Sequence, residues 1–172
     1  MNNTKSALTI LFFAGLILLS RWLPHPPNFT PVLAVALFCG SRFSKSSWAY
    51  LMPVIAMIIS DLVIGMHDLM LVVYASLLPM VWLASRWPKQ KILNSFFASV
   101  WFFAITNFAV WYTGSVVYAP TLAGLEECYV AALPFFHNTL ISTFVFMGVF
   151  ELVAKFAPQV LPEFSSAANK PA

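Results

Sequence analysis

The side chains able to do chemistry gather in three stretches between long apolar runs. The first is Leu23–Pro31, read Leu-Pro-His-Pro-Pro-Asn-Phe-Thr-Pro. Its prolines fix φ and remove N–H donors, which makes the connection stiff. It is either a rigid helix connector or a preorganised wall presenting His25 and Asn28, since preorganisation lowers the cost of binding. The second is Ser60–Asp68, with Asp61, His67 and Asp68. An ionisable group in or beside an apolar run is costly and is a functional candidate by default. The structural alternative, adopted here, is an ion pair between Asp61 and Arg21, because a charge withdrawn from water needs a partner. His67 could ligate a metal or a substrate through a neutral imidazole, or be an ordinary surface residue. The third runs over Ser115–Cys128 with Tyr118, Glu126, Glu127 and Cys128, and continues through Leu133–Asn138 with His137 and Asn138. Loops of that length are often lids or binding loops. Its rings could stack on a flat ligand or form an interfacial belt. Cys128 could ligate a soft metal as a thiolate, or fill space as a small packed residue.

Several signatures do not occur. There is no Gly-rich loop ending in Gly-Lys-Ser/Thr to cradle phosphates, and no His-Glu-x-x-His pair. Neither a paired Cys-x-x-Cys nor a Gly-x-Ser-x-Gly elbow is present. No catalytic residue, cofactor or intrinsic metal is therefore assigned, and the chain is not expected to be an enzyme.

The elements that must position these groups follow from composition. Of 172 residues, 60% are hydrophobic and only 9% charged, against roughly 25% charged in soluble domains. So few charges cannot cover a water-facing surface, whereas side chains facing lipid should be apolar. The net charge of +3 comes with no basic cluster of the kind that reads nucleic acid. Two cysteines, Cys39 and Cys128, are too few for a disulfide framework.

Six apolar stretches stand out: Ser6–Leu23, Thr30–Phe43, Ser47–Ile64, Leu69–Ser85, Leu93–Gly114 and Tyr129–Ala154. Five reach the ~17–25 residues that a spanning helix needs. The second covers only about 21 Å at 1.5 Å per residue, so it either borrows from Pro26–Phe29 or stops partway. Thr30 before Pro31 reads as an N-cap followed by a first helical turn. Pro53 and Pro79 fall inside helices, where they should kink them. Asn107 reads as an interhelical packing residue.

Charge gives an independent test. With the N-terminus inside, Lys5, Arg42, Lys45, Arg86, Lys89, Lys91, Lys155 and Lys170 fall on one side, and only Arg21 lies toward the other. Asp68, Glu126 and Glu127 fall outside. This one-sided distribution is the positive-inside pattern, and it predicts six spans with both termini cytoplasmic. A re-entrant second segment would put Lys5 outside and leave every later loop on its side. Lys5–Ser20 has a basic start and an apolar run, but no small-x-small site follows, so cleavage as a signal peptide is not expected. Residues 1–157 read as one helical membrane domain, and 158–172 as a disordered cytoplasmic tail.

Several motifs carry a resemblance. Pro-Asn-Phe-Thr-Pro leads into a small-residue helix ending Phe-Cys-Gly. Ser-Asp-Leu-Val-Ile-Gly-Met-His, Thr-Asn-Phe-Ala-Val-Trp and Cys-Tyr-Val-Ala-Ala-Leu-Pro-Phe-Phe-His-Asn follow. Across Leu23–Phe150 these resemble a family of small bacterial membrane proteins described as transport proteins. In size and span count that family is similar to the S components of energy-coupling-factor vitamin transporters. The resemblance implies an all-α bundle of six transmembrane helices in the bacterial inner membrane that captures a vitamin from outside. It also implies a transmembrane coupling protein with ATPase subunits as partner, although some members work without a dedicated one. Cobalamin is the leading implied ligand. In cobalamin-type members an outer-loop Cys or His approaches cobalt; here the loop after the third stretch offers His67.

The resulting expectation is an uptake component for a micronutrient, with the lipid bilayer as surroundings and no nucleic-acid partner. Its ligand contacts are drawn from His25, Asn28, His67, Tyr118, Cys128, His137 and Asn138. A ligand-free membrane assembly subunit, or a small membrane enzyme using Asp61, His67 and His137, are the alternatives.

Overall fold

A computed structural model describes residues 3–114 and 117–156, with side chains from residue 9 onward. The expected tail at 158–172, Lys170 and the Lys5 side chain lie outside the described residues. Everything described is helix or connection, with no strand: α1 (Asn3–Trp22), α2 (Val32–Arg42), α3 (Trp48–Ile64), α4 (Met70–Arg86), α5 (Lys91–Thr113) and α6 (Leu122–Phe156). The fold is all-α. By length and composition, α5 and α6 are apolar enough to cross a membrane, and the other four are shorter apolar helices. This points to membrane association, although two such helices alone are a weak indication of it.

The short second element explains the architecture. Every residue of α2 from Val32 to Gly40 is buried, as expected of a helix apolar all round. At 11 residues it is only about 16 Å long, and α3, α4, α5 and α6 pack around it. Its closest neighbour is α4. A Cβ on Gly40 would stand 2.3 Å from the Val81 carbonyl oxygen, so only glycine permits this approach. On α1, Ile10, Phe13, Ala14 and Ile17 are buried at the spacing of one helical face. Phe13 meets Phe38 of α2 and Phe150 of α6 edge-on, at ring separations of 6.3 and 5.8 Å, a favoured geometry for aromatic pairs.

The entry to α2 differs from the sequence reading by one residue. Pro31, not Thr30, is the N-cap, and its carbonyl accepts the Val35 N–H at 2.8 Å. Thr30 instead donates its N–H to the Asn28 carbonyl. Asn28 lies at φ 63°, in the left-handed region that Asn tolerates better than most residues. Pro53 and Pro79 sit inside α3 and α4, where each removes one in-helix N–H donor.

The larger correction concerns α6. It begins at Leu122, not Tyr129, so Glu126, Glu127 and Cys128 belong to a helix and not to a long loop. Two glutamates end an apolar stretch but favour a helix. Thr121 Oγ accepts the Gly124 N–H at 3.2 Å and satisfies a donor that the helix start leaves free. Trp111 Nε1 donates to the Ala119 carbonyl at 3.0 Å, tying the connection back to α5.

Two ionic clusters sit at opposite ends of the bundle. At one, Arg21 of α1 donates to Asp61 and, at 3.0 Å, to Ser60 Oγ of α3, while Tyr74 of α4 donates to the other Asp61 oxygen. Asp61 is fully buried. At the other end, Glu151 of α6 receives Arg42 of α2 at 2.7 Å and also Lys91 of α5. The sequence reading counted Arg42 and Lys91 as loop-facing cations and did not pair them.

Candidate ligand-binding site

A cavity of about 220 Å³ opens toward the Arg21–Asp61 end, between the start of α4, the second half of α5 and the middle of α6. Helix α5 supplies one wall with Phe102, Phe103, Thr106, Asn107 and Val110. These positions recur three or four residues apart, as one helical face requires. Helix α6 supplies the facing wall with Phe135, Phe136 and Thr139, and α4 contributes Val73. Asn28 and His67, with Leu69, close it from the two connecting loops.

The two walls are held in register. Tyr129 of α6 donates its hydroxyl to the Ala104 carbonyl of α5 at 2.6 Å. The Phe103 ring lies 5.4 Å from Tyr129 and 4.9 Å from Phe136. The proline-rich loop is fixed to α6 as well: Asn138 Nδ2 donates to the Pro27 carbonyl at 2.9 Å, and Phe29 packs on Phe146. That anchoring holds Asn28 at the cavity edge.

The polar groups of the walls have specific commitments. Thr106 donates its hydroxyl to the Phe102 carbonyl at 2.7 Å, and Thr139 to the Phe135 carbonyl at 3.0 Å. Asn107 Nδ2 donates to the Phe103 carbonyl at 2.8 Å. Each hydroxyl oxygen and the Asn107 amide oxygen therefore keeps acceptor capacity. Among the described residues no Asp, Glu, Lys or Arg lines the cavity. Among the described residues no group of three or more His, Cys, Asp and Glu could hold a metal ion.

Of the seven ligand contacts read from the sequence, Asn28 and His67 line this cavity and the other five do not. His25 donates through Nδ1 to the Pro26 carbonyl at 2.7 Å within its own loop. Tyr118 is half-buried in the α5–α6 connection, its N–H on the Gly114 carbonyl. Cys128 is buried with its thiol on the Asn107 carbonyl at 3.5 Å, so it belongs to the α5–α6 contact. His137 is exposed on α6 beside Phe136. Asn138 holds the proline loop and acts on the site through it. The residues missed are those of the walls. Asn107 was read as packing, and the phenylalanines were read only as part of an apolar run. Polar side chains one helical turn from paired phenylalanines, Phe102-Phe103 with Thr106-Asn107 and Phe135-Phe136 with Thr139, were the available signal.

Comparison with known proteins gives a family and nothing further. Residues 1–164 match a family of unknown function (DUF6580), and the chain belongs to it. No curated protein matches the chain, and no solved structure does.

Proposed function

We propose that this protein is a multi-pass inner-membrane component that captures a small micronutrient from the outer side for uptake. The observation that carries the reading is the cavity itself, an aromatic-walled space with a few polar groups and no charge. That is the usual character of a small-molecule site. It lies at the end opposite the Arg42, Arg86 and Lys91 end, which the positive-inside pattern assigns to the cytoplasm. The proposal takes all six helices as spans, with both termini cytoplasmic. Large apolar side chains left uncovered on α5, among them Phe96, Phe97, Trp101 and Phe108, support lipid as their surroundings. The long α6 and central α2 suit a bundle whose neighbours supply the cover that a short helix lacks.

Cobalamin is the ligand implied by the resemblance to vitamin-uptake components. A corrin macrocycle could sit only partly inside a cavity of about 220 Å³ that is open on one side, below the roughly 300–1,000 Å³ of drug-sized sites. The geometry favours a smaller micronutrient. Full-length protein purified in mild detergent, denatured, and its released small molecules identified by mass spectrometry, tests the reading. A stoichiometric micronutrient lost in Phe103→Ala and Asn107→Leu supports capture. A visible corrinoid spectrum that changes in His67→Ala would favour cobalamin with imidazole ligation. Protein that releases nothing, and binds no micronutrient on titration, refutes capture.

A further inference from the structure

Within that capture reading, we propose that the occupant is an uncharged, planar heteroaromatic ring of one or two fused rings that carries N–H donors, such as an amino-substituted pyrimidine or purine. Three observations converge on this class. The first is charge. Among the described residues no Asp, Glu, Lys or Arg lines the cavity, and a charged group drawn in there would lose part of its hydration without gaining a counter-ion. The second is shape. Phe102, Phe103, Phe135 and Phe136 line the cavity; Phe103 and Phe136 already touch, with ring centres 4.9 Å apart, so a flat ring would pack against this aromatic cluster rather than between its members.

The third is hydrogen-bond polarity, and it separates this class from other flat ligands. The Thr106 and Thr139 protons are spent on the Phe102 and Phe135 carbonyls. What these hydroxyls retain is lone pairs. Asn107 must point its NH₂ at the Phe103 carbonyl, because two carbonyl oxygens would repel at 2.8 Å. Its amide oxygen is left as an acceptor. Three residues of α5 and α6 that line one cavity thus keep acceptor capacity, while Asn28 and His67 add side chains from the loops that can donate as well as accept. A ring with exocyclic amino or ring N–H groups on one edge and a bare ring nitrogen on another fits this arrangement. A ligand without donors would leave the acceptors buried and unpaired.

Full-length protein in lipid nanodiscs would be titrated by calorimetry with adenine and 4-aminopyrimidine. The comparators are 6,9-dimethylpurine, which has no N–H donor, and purine-6-carboxylate, which adds a charge. At least one amino probe should bind ten times or more tighter than both comparators. That binding should fall at least tenfold in Thr106→Val and in Asn107→Leu, with thermal unfolding of Thr106→Val unchanged. Equal binding of 6,9-dimethylpurine or of the carboxylate overturns the donor-bearing, uncharged class, as does binding indifferent to both substitutions. If no purine or pyrimidine binds, the small molecule released from purified protein decides. A micronutrient lacking an amino-bearing heteroaromatic ring overturns this inference and leaves capture standing, whereas one containing such a ring supports it. If nothing is released and nothing binds, capture fails and this inference with it.

Discussion

Replacing Arg21 and Asp61 singly and together measures how the cavity end of the bundle is held. Asp61 is fully buried and takes hydrogen bonds from Arg21 and Tyr74, while the Arg21 side chain is 20% exposed. Removing one member of a buried pair costs roughly 3–5 kcal/mol, because the other charge is stranded. For Arg21→Ala the low end applies, about 3 kcal/mol, since the Tyr74 hydroxyl still serves one carboxylate oxygen. For Asp61→Ala the expected loss is smaller, about 2 kcal/mol, because the partly exposed guanidinium can turn to water and keep Ser60 as a partner. In the double mutant no charge is stranded, so its loss should be near 3 kcal/mol and the coupling about 2 kcal/mol. Tyr74→Phe removes a hydrogen bond to a charged group and should cost about 1.5–3 kcal/mol. The assay is equilibrium unfolding in mixed micelles at fixed detergent composition, followed by tryptophan fluorescence. Losses that add to within about 0.5 kcal/mol, the limit for independent sites, would refute the pairing as an energetic link between α1 and α3.

Two further outcomes follow. Gly40→Ala should destabilise by about 1–3 kcal/mol, the usual cost of overpacking, because its Cβ would press on the Val81 backbone. Gly148→Ala meets nothing within 4 Å on a helix and should be neutral or stabilising by up to about 1 kcal/mol; the same unfolding assay compares the two, and equal effects would refute the close α2–α4 contact. Reporter fusions after Gln90 and at Ala172 should both read cytoplasmic, and one after Gly65 should read periplasmic; a periplasmic reading at either of the first two positions breaks the six-span arrangement.

Much of the helical layout is legible in the sequence. The apolar stretches locate α2, α3, α4 and α5 to within two residues at each end, because an apolar run ended by Gly65 or by Arg86-Trp87-Pro88 stops being both apolar and helical at nearly the same place. The rule fails where those two limits separate. Glu126 and Glu127 end the apolar run but not the helix, so the start of α6 was set seven residues late. Arg21 and Asp61 could be matched from sequence as opposite charges at the same end of neighbouring runs. Arg42, Lys91 and Glu151 could not, since nothing in one dimension brings the end of α2 to the end of α6.

The cavity shows the same division. Sequence singled out Asn28 and His67 because polar residues in stiff or short connections stand out from their surroundings. It could not separate them from His25, His137 or Cys128, which differ only in direction. What decided between them was packing: Asn138 draws the proline loop onto α6, the Tyr129 hydroxyl sets α6 against α5, and the Cys128 thiol is taken up by the Asn107 carbonyl. The walls themselves were hidden because Phe102, Phe103, Phe135 and Phe136 satisfy an apolar pattern equally well facing lipid, core or ligand. Hydropathy fixes that a side chain leaves water, and only the three-dimensional neighbours fix what replaces the water.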